Sequence, residues 1–467
     1  MTDPTDAYEE YRVLLARQEA KRLRRRLLTP DTPGTSNAPD TPYASYASYA
    51  PSTPGTPGAP RASNASGTAD AQPLHAAEPG HHGADDQRLI TESLALITPF
   101  PGLIADLYTA MFERHPYLRG LFPESMAFQQ AHLERAFRFL IDRLDRPDEV
   151  TAFCTRLGRD HRKLGVRPVH YDVFEAALVE ALRRRAGTWW RADTEEAWRR
   201  MLRRAVTAMV RGAEAALAER PFWDVTVTGR DERGPDLAVL RVAPAEPYPY
   251  RAGQYALLQS PQLARAWRPF SLACAPRADG ELEFHVRRTG PGGVSDALVT
   301  RTRVGDPLRL GPAQGAMTLH EDDRDHDAVV VARGTGWAGA KALLQDLARR
   351  RVPGRVARLF LAARTREELY DLDAVAEWEA RAPWLRVVPV LGAAAEDDAL
   401  ADAVARHAEW PPSGPVFVSG PPGLAATVRG LCARGLPADR LRHDLAAAPA
   451  TTPDTPDRTS VPGGAAA

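Results

Sequence analysis

The chain has 467 residues, too many for one hydrophobic core and enough for about three domains of ordinary size. Lys and Arg total 60 and so do Asp and Glu, so the net charge is zero. That balance excludes an overall pull toward nucleic acid or an anionic membrane. Cys154, Cys274 and Cys432 lie too far apart for a zinc spacing or a disulfide framework, and this suits a reducing cytoplasm. No apolar run approaches the ~20 residues of a membrane span. The first residues are acidic and lack the basic-then-apolar order of a signal peptide, so the expectation is a cytoplasmic protein.

Residues 1–85 stand apart in composition. Within them, 7–28 read as a helix with a broken apolar stripe of Tyr11, Leu14, Leu15, Leu23 and Leu27 beside the basic run Lys21–Arg26. A solvated helix is the plain reading of that pattern, and docking to a partner is the sharper one. Residues 29–85 are rich in Pro, Ser, Thr, Ala and Gly and carry the repeat YASYASYA at 43–50. Such a segment is expected to stay disordered, because it buries too little apolar surface to offset its ordering entropy. His75, His81 and His82 inside it do not make a metal site by themselves.

From 86 to 219 helical periodicity dominates and predicts an all-α domain. Ile104, Leu107, Tyr108 and Met111 share one helix face. Phe153, Leu157, His161 and Leu164 share another, which sets an imidazole among apolar side chains. Each feature alone is more often core: a tyrosine bonded to a carbonyl, or a satisfied histidine. Between 220 and 322, short alternating runs such as VTVTG and LAVLRVAP predict an antiparallel barrel. Between 323 and 446, DAVVVA, RVARLFLAA, LRVVPVL and GPVFVSG alternate with helical stretches, which predicts an α/β domain with a parallel sheet. Residues 447–467 are rich in Ala, Thr and Pro and are expected to form a disordered tail.

Taken together, Tyr108, Phe122, His161 and Tyr171, with HRKLGVRPVHYDVFEAAL at 161–178, resemble the globin domain of flavohaemoglobins. The resemblance covers nearly all of 86–219 and continues through the next two domains. It implies haem b, with His161 as the proximal iron ligand, Phe122 against the porphyrin and Tyr108 as the distal hydroxyl. Tyr171 and Glu214 match the pair that makes the proximal imidazole more electron-donating, a carboxylate on its second N–H. The stretch from Phe122 to His161 is a few residues shorter than is usual in the family. With the gap placed in the loop, Gln129 takes the distal glutamine position and Leu133 lies over the haem; without it, His132 would stand there. QQAHLE keeps the glutamine-to-leucine spacing and favours Gln129.

The barrel stretches resemble the flavin signature of ferredoxin reductases. Tyr255 lies in YRAGQYALL, and RPFS supplies Arg268, Pro269, Phe270 and Ser271. By that likeness Arg268 meets the FAD pyrophosphate, Phe270 stacks on the flavin and Ser271 reaches its N5 edge. Tyr is usual where Phe270 stands. GPGGVS supplies Gly292, Gly293, Val294 and Ser295 as a second phosphate segment.

VVVARGTGWAGAKALLQDL reads as strand, glycine turn and helix, with Gly334, Thr335 and Gly336 at the turn, the place for a nucleotide pyrophosphate. Pro is usual where Gly339 stands. Arg364 and Arg366 could meet a 2′-phosphate or only solvate a loop, which leaves NADH and NADPH both open. Ser419, Gly420 and Pro421 match the closing motif beside the nicotinamide, where Cys is usual at 419. No aromatic residue follows Asp444 to cover the flavin.

The resemblance implies an NAD(P)H-dependent oxidoreductase that passes electrons through FAD to haem and oxidises nitric oxide with dioxygen to nitrate. It implies a monomer whose partners are O2 and NO, with no nucleic acid. Two alternatives share the cofactors: a slow oxygen- or redox-sensing globin-reductase, and a reductase feeding an external acceptor.

Overall fold

The computed structural model describes residues 83–323, 325–350, 352–395, 397–407, 414–421 and 423–444. They belong to one structural unit; a second, Ala20–His81, lies outside them. The helix expected at 7–28, the histidines at 75, 81 and 82, and the tail 447–467 also lie outside.

Six long helices come first: α1 (Gly83–Ile97), α2 (Phe100–Arg114), α3 (Ala127–Asp142), α4 (Pro147–His161), α5 (Pro168–Ala186) and α6 (Ala192–Ala215). The first described helix begins at Gly83. Pro opens or nearly opens α2, α4 and α5, where its missing N–H has no intrahelical partner to lose. One core holds them together, with Ile90, Leu103, Leu107, Phe137 and Trp198 fully buried. Glycines let α4 and α6 cross at backbone contact. A Cβ on Gly158 would stand 1.9 Å from the Met209 carbonyl oxygen, and one on Gly212 2.2 Å from that of Thr155. Among the described residues no single helix is long and apolar enough to cross a membrane.

The barrel is a six-stranded antiparallel sheet of order β4-β3-β6-β1-β2-β5. Its strands are β1 (Trp223–Gly234), β2 (Leu237–Pro244), β3 (Tyr255–Gln259), β4 (Arg268–Ser271), β5 (Leu282–Arg287) and β6 (Pro307–Leu310), with the short helix α7 (Val294–Thr300) before β6. The alternating residues Val225 and Val227, with Leu240, Val242, Phe284 and Val286, fill its interior.

The last domain is a parallel sheet of order β11-β10-β7-β8-β9. It comprises β7 (Ala328–Arg333), α8 (Trp337–Arg349), β8 (Ala357–Ala363), α9 (Leu372–Arg381), β9 (Leu385–Leu391), α10 (Asp397–His407), β10 (Val416–Ser419), α11 (Leu424–Ala433) and β11 (Leu441–Arg442). Its near-continuous apolar strands are buried on both faces, as crossover helices demand. The strand order reverses between β7 and β10, so the turns at 334–336 and 419–421 flank the crevice where such sheets take ligands.

Candidate functional site

The C-terminal end of α4 carries His161 on the same face as Phe153 and Leu157. Its Nδ1 lies 2.8 Å from the Leu157 carbonyl oxygen. That bond fixes the tautomer with the proton on Nδ1 and leaves Nε2 as a lone-pair donor. Burial depresses the imidazole's proton affinity, opposed by the Leu157 bond and the Asp160 charge, so the ring is held neutral. A neutral, oriented imidazole fits an iron ligand.

Tyr108 on α2 is buried, edge-on to Phe122 at 5.5 Å and stacked on Phe112 at 5.9 Å. Among the described residues its hydroxyl has no hydrogen-bond partner, so a carbonyl-bonded core tyrosine is not what stands here. Burial pushes its ionisation well above the usual range, which keeps the phenol a donor. On α3 the amide oxygen of Gln129 is buried without a partner. An orphaned buried polar atom calls for a ligand or water. Leu133, one turn on, packs against the same core as Tyr108, Phe122 and Tyr171. His132 is engaged elsewhere: its Nδ1 lies 3.0 Å from the Phe128 carbonyl oxygen, with Arg135 at 3.0 Å. Burial, then Arg135 and Arg268, pull its pKa down to about 4, against the bond to Phe128.

The proximal pair does not assemble. Glu214 lies on the exposed face of α6, and among the described residues its carboxylate makes no hydrogen bond or ion pair. Gly212 and Met209 face α4, and Glu214 is about 200° around the helix from Gly212 at 100° per residue. The Nδ1 proton of His161 goes to a carbonyl, so the carboxylate expected to raise its basicity is absent from it. Tyr171 remains half-buried, its phenol pushed up to about 12 by burial.

A chain of hydrogen bonds that the sequence did not reveal ties this helix to the barrel. Tyr255 donates to Gln314 Oε1 at 3.1 Å, and Gln314 Nε2 donates to Asp160 at 2.8 Å, the residue before His161. Lys163 also pairs with Asp160, at 2.9 Å. The Arg268 guanidinium lies 3.4 Å above the Phe128 ring, a second contact between the domains. The only signal for either was the position of Asp160 next to the candidate ligand.

On β4, Pro269 pairs with Leu257, Phe270 with Ala256 and Ser271 with Tyr255, so the whole flavin signature lines one strand of the barrel. Ser271 and Ser419 converge from two domains on Gly339: a Cβ there would stand 3.6 Å from Ser271 Oγ and 3.2 Å from Ser419 Oγ. Among the described residues neither hydroxyl has a partner, which fits a flavin edge and a nicotinamide meeting between them. Gly336 seats its turn against the other: a Cβ would lie 2.1 Å from the Ser419 carbonyl oxygen. Gly334, at φ 57°, opens the turn, and Thr335 follows it. Gly420 and Pro421 continue the opposing turn.

In the GPGGVS segment, Gly292 has φ 79°, Gly293 precedes α7 and Val294 is buried. Ser295 is engaged locally: its Oγ accepts the Thr289 N–H at 3.2 Å and pairs with the Thr289 hydroxyl at 3.0 Å. Arg364 is tied to Glu368 through both its backbone N–H and its guanidinium, at 3.1 and 3.3 Å. It solvates the loop after β8, beside the exposed Arg366.

Helices that carry His161, Tyr108 and Gln129, a flavin-signature barrel and a dinucleotide-type sheet define a globin–reductase, an oxidoreductase with haem, FAD and nicotinamide sites. The family model described as Globin matches residues 105–209. The chain is 28% identical over 290 residues to a flavohemoprotein of Chromobacterium violaceum, covering 56% of this chain and 70% of that one. It is 30% identical over 245 residues to the reductase component of propane 2-monooxygenase from Mycolicibacterium goodii, covering 49% and 69%. It spans 45% of the reductase component of phenol 2-monooxygenase from Pseudomonas, at 32% identity over 163 residues and 35% of this chain. Among solved structures, flavohemoglobin from Malassezia yamatoensis shares the fold at TM-score 0.61 and 20% identity, over 76% of this chain and 97% of that one. The chain carries a globin domain joined to a ferredoxin-reductase-type FAD and NAD module, the arrangement of the flavohaemoglobins to which it is similar.

Proposed function

We propose that this protein is an NAD(P)H-dependent nitric oxide dioxygenase. Two NO and two O2, with one NAD(P)H, give two nitrate, the oxidised nucleotide and one proton. When bound, haem supplies an iron that takes dioxygen, and FAD supplies a carrier that accepts a hydride and releases single electrons. The residues do the rest. The 334–336 and 419–421 turns seat the nucleotide, and Ser271 and Ser419 orient its nicotinamide. His161 would hold the iron through Nε2, with its Nδ1 bonded to the Leu157 carbonyl. Tyr108 would supply a hydrogen-bond donor, and Gln129 a second polar contact. The unpartnered Tyr108 hydroxyl within an apolar core carries this reading.

The displacement of Glu214 favours a second reading, a slow oxygen-sensing globin-reductase, because less electron donation reaches the iron ligand. Spectra of the FAD- and haem-loaded protein, titrated with NADH and then given NO under air, separate the two. Stoichiometric nitrate with many turnovers supports the dioxygenase. A reduced haem that holds dioxygen and consumes NO only once overturns it.

A further inference from the structure

Helix α8, which begins at the nucleotide turn, carries Lys341, Gln345 and Arg349 one turn apart on a single face. All three bond to the barrel. Lys341 Nζ lies 2.6 Å from Glu283 Oε1, Gln345 Oε1 accepts the Ala275 N–H at 2.9 Å, and Arg349 donates to the Pro276 carbonyl. At the end nearest Gly339 this row continues inward. His285 Nε2 lies 2.9 Å from the same Glu283 oxygen, and His285 Nδ1 lies 2.7 Å from the Tyr370 hydroxyl. The His285 side chain is wholly buried.

An ionised Glu283 only accepts, so His285 donates to it through Nε2, and Nδ1 pairs with the Tyr370 hydroxyl. Burial opposes ionisation of Glu283, but the His285 bond and the charge and bond of Lys341 outweigh it and hold its pKa at about 2. Tyr370 begins the last stretch of the loop after β8. Its neighbour Asp371 accepts the Trp337 indole N–H at 2.9 Å and lies 3.9 Å from Arg233 of the barrel. One chain of polar groups therefore joins that loop, the first turns of α8 and strand β5.

We propose that Tyr370, His285, Glu283 and Lys341 form a positioning network for hydride transfer, which locks the nucleotide domain to the barrel and fixes the cleft between Ser271 and Ser419. The proposal rests on the reading that the nucleotide gives its hydride to the flavin in that cleft. There the C4–H bond of the reduced nicotinamide breaks with its electron pair, the flavin is reduced, and the oxidised nucleotide leaves. Lys341 lies two residues past Gly339, so a shift of α8 moves the cleft wall directly. A misplacement of about 1 Å can cost up to ~100-fold in rate.

The test is anaerobic stopped-flow flavin reduction of the full, FAD-loaded chain by NADH and by NADPH, at saturation. Tyr370→Phe keeps the ring and removes one hydroxyl; Lys341→Met removes the cation and Lys341→Arg restores it. The saturating rate is expected to fall about tenfold in Tyr370→Phe and Lys341→Met and to recover largely in Lys341→Arg. FAD content and electron delivery from photoreduced flavin to haem should stay unchanged. A merely structural role lowers the melting temperature and leaves the saturating rate alone, and that result overturns the proposal. If Lys341→Met does not fold, Tyr370→Phe decides. A wild type whose flavin neither nucleotide reduces overturns the underlying reading as well, whereas a reducible wild type matched by its variants overturns only the network.

Discussion

Gly339 and Ser419 stand so close that a Cβ on the glycine would lie 3.2 Å from the serine hydroxyl and 3.0 Å from the end of the Met317 side chain. These are two of the positions where the chain departs from the residues usual in flavohaemoglobins. They act on one volume, because the missing side chain at 339 leaves room beside 419.

That relationship predicts coupling. Ser419→Cys alone should raise the saturating flavin reduction rate, since the larger thiol fills the space beside Gly339. Gly339→Pro alone should require Met317 to swing away. Together the two changes should fall short of the sum of their effects, because the sulfur and the new Cβ compete for the same gap. A double-mutant cycle in stopped-flow reduction reads this directly. Additivity within ~0.5 kcal/mol would show that the positions are independent.

Glu283 gives a pH signature. Its folded pKa of about 2 lies below the ordinary 4.5. The stability it contributes is therefore complete above about pH 4.5 and is lost as pH falls from there toward 2. At ~1.4 kcal/mol per unit this is roughly 3 kcal/mol at neutral pH, as an order of magnitude. Glu283→Gln should flatten the acid dependence of the reductase-half transition in calorimetry from about pH 4.5 down toward 2, the window set by the two values. An unchanged slope would mean that the carboxylate is not held by Lys341 and His285 in solution.

The sequence was most informative where a chemical group and a period coincide. Alternating valines in β1 and β2 and apolar runs in β7 and β10 announced two kinds of sheet, because side-chain direction follows from strand geometry. His161 was legible for the same reason: it repeats Phe153 and Leu157 on one helix face. Glu214 misled because order along the chain does not say which face a helix presents. Gly158 and Gly212 decide that face, and two glycines read as weak helix rather than as a crossing point. The row Lys341, Gln345 and Arg349 looks like a solvated helix face, and only the neighbouring barrel turns it into an interface. Ser295 shows the same limit: a motif serine can spend its hydroxyl on a neighbour such as Thr289.

Asp86 sets where the helical domain can be shortened. Its carboxylate is almost wholly buried and meets Arg200 at 2.6 and 3.2 Å. A chain starting at Gly83 should retain haem. Asp86→Ala should destabilise the domain by about 1–3 kcal/mol, below the range for a fully buried pair, because Arg200 is partly exposed. Thermal unfolding of the haem-loaded proteins measures both. A shift within ~0.5 kcal/mol would place this pair with ordinary surface ones.

Tyr108 is the sharpest test of dioxygen chemistry. The residue is buried in an apolar core, its phenol stays protonated, and its hydroxyl has no hydrogen-bond partner among the described residues. Tyr108→Phe keeps the ring and its contacts with Phe112 and Phe122. With no protein hydrogen bond to lose, the melting temperature, haem content and flavin reduction should barely change. A hydrogen bond to a charged group contributes roughly 1.5–3 kcal/mol net. At ~1.4 kcal/mol per factor of ten, its loss should speed dioxygen release by about one to two orders of magnitude. Stopped-flow dissociation from the reduced wild type and the variant gives the ratio. Equal release rates with a lowered melting temperature would return Tyr108 to the core as a structural residue and leave the distal pocket to Gln129.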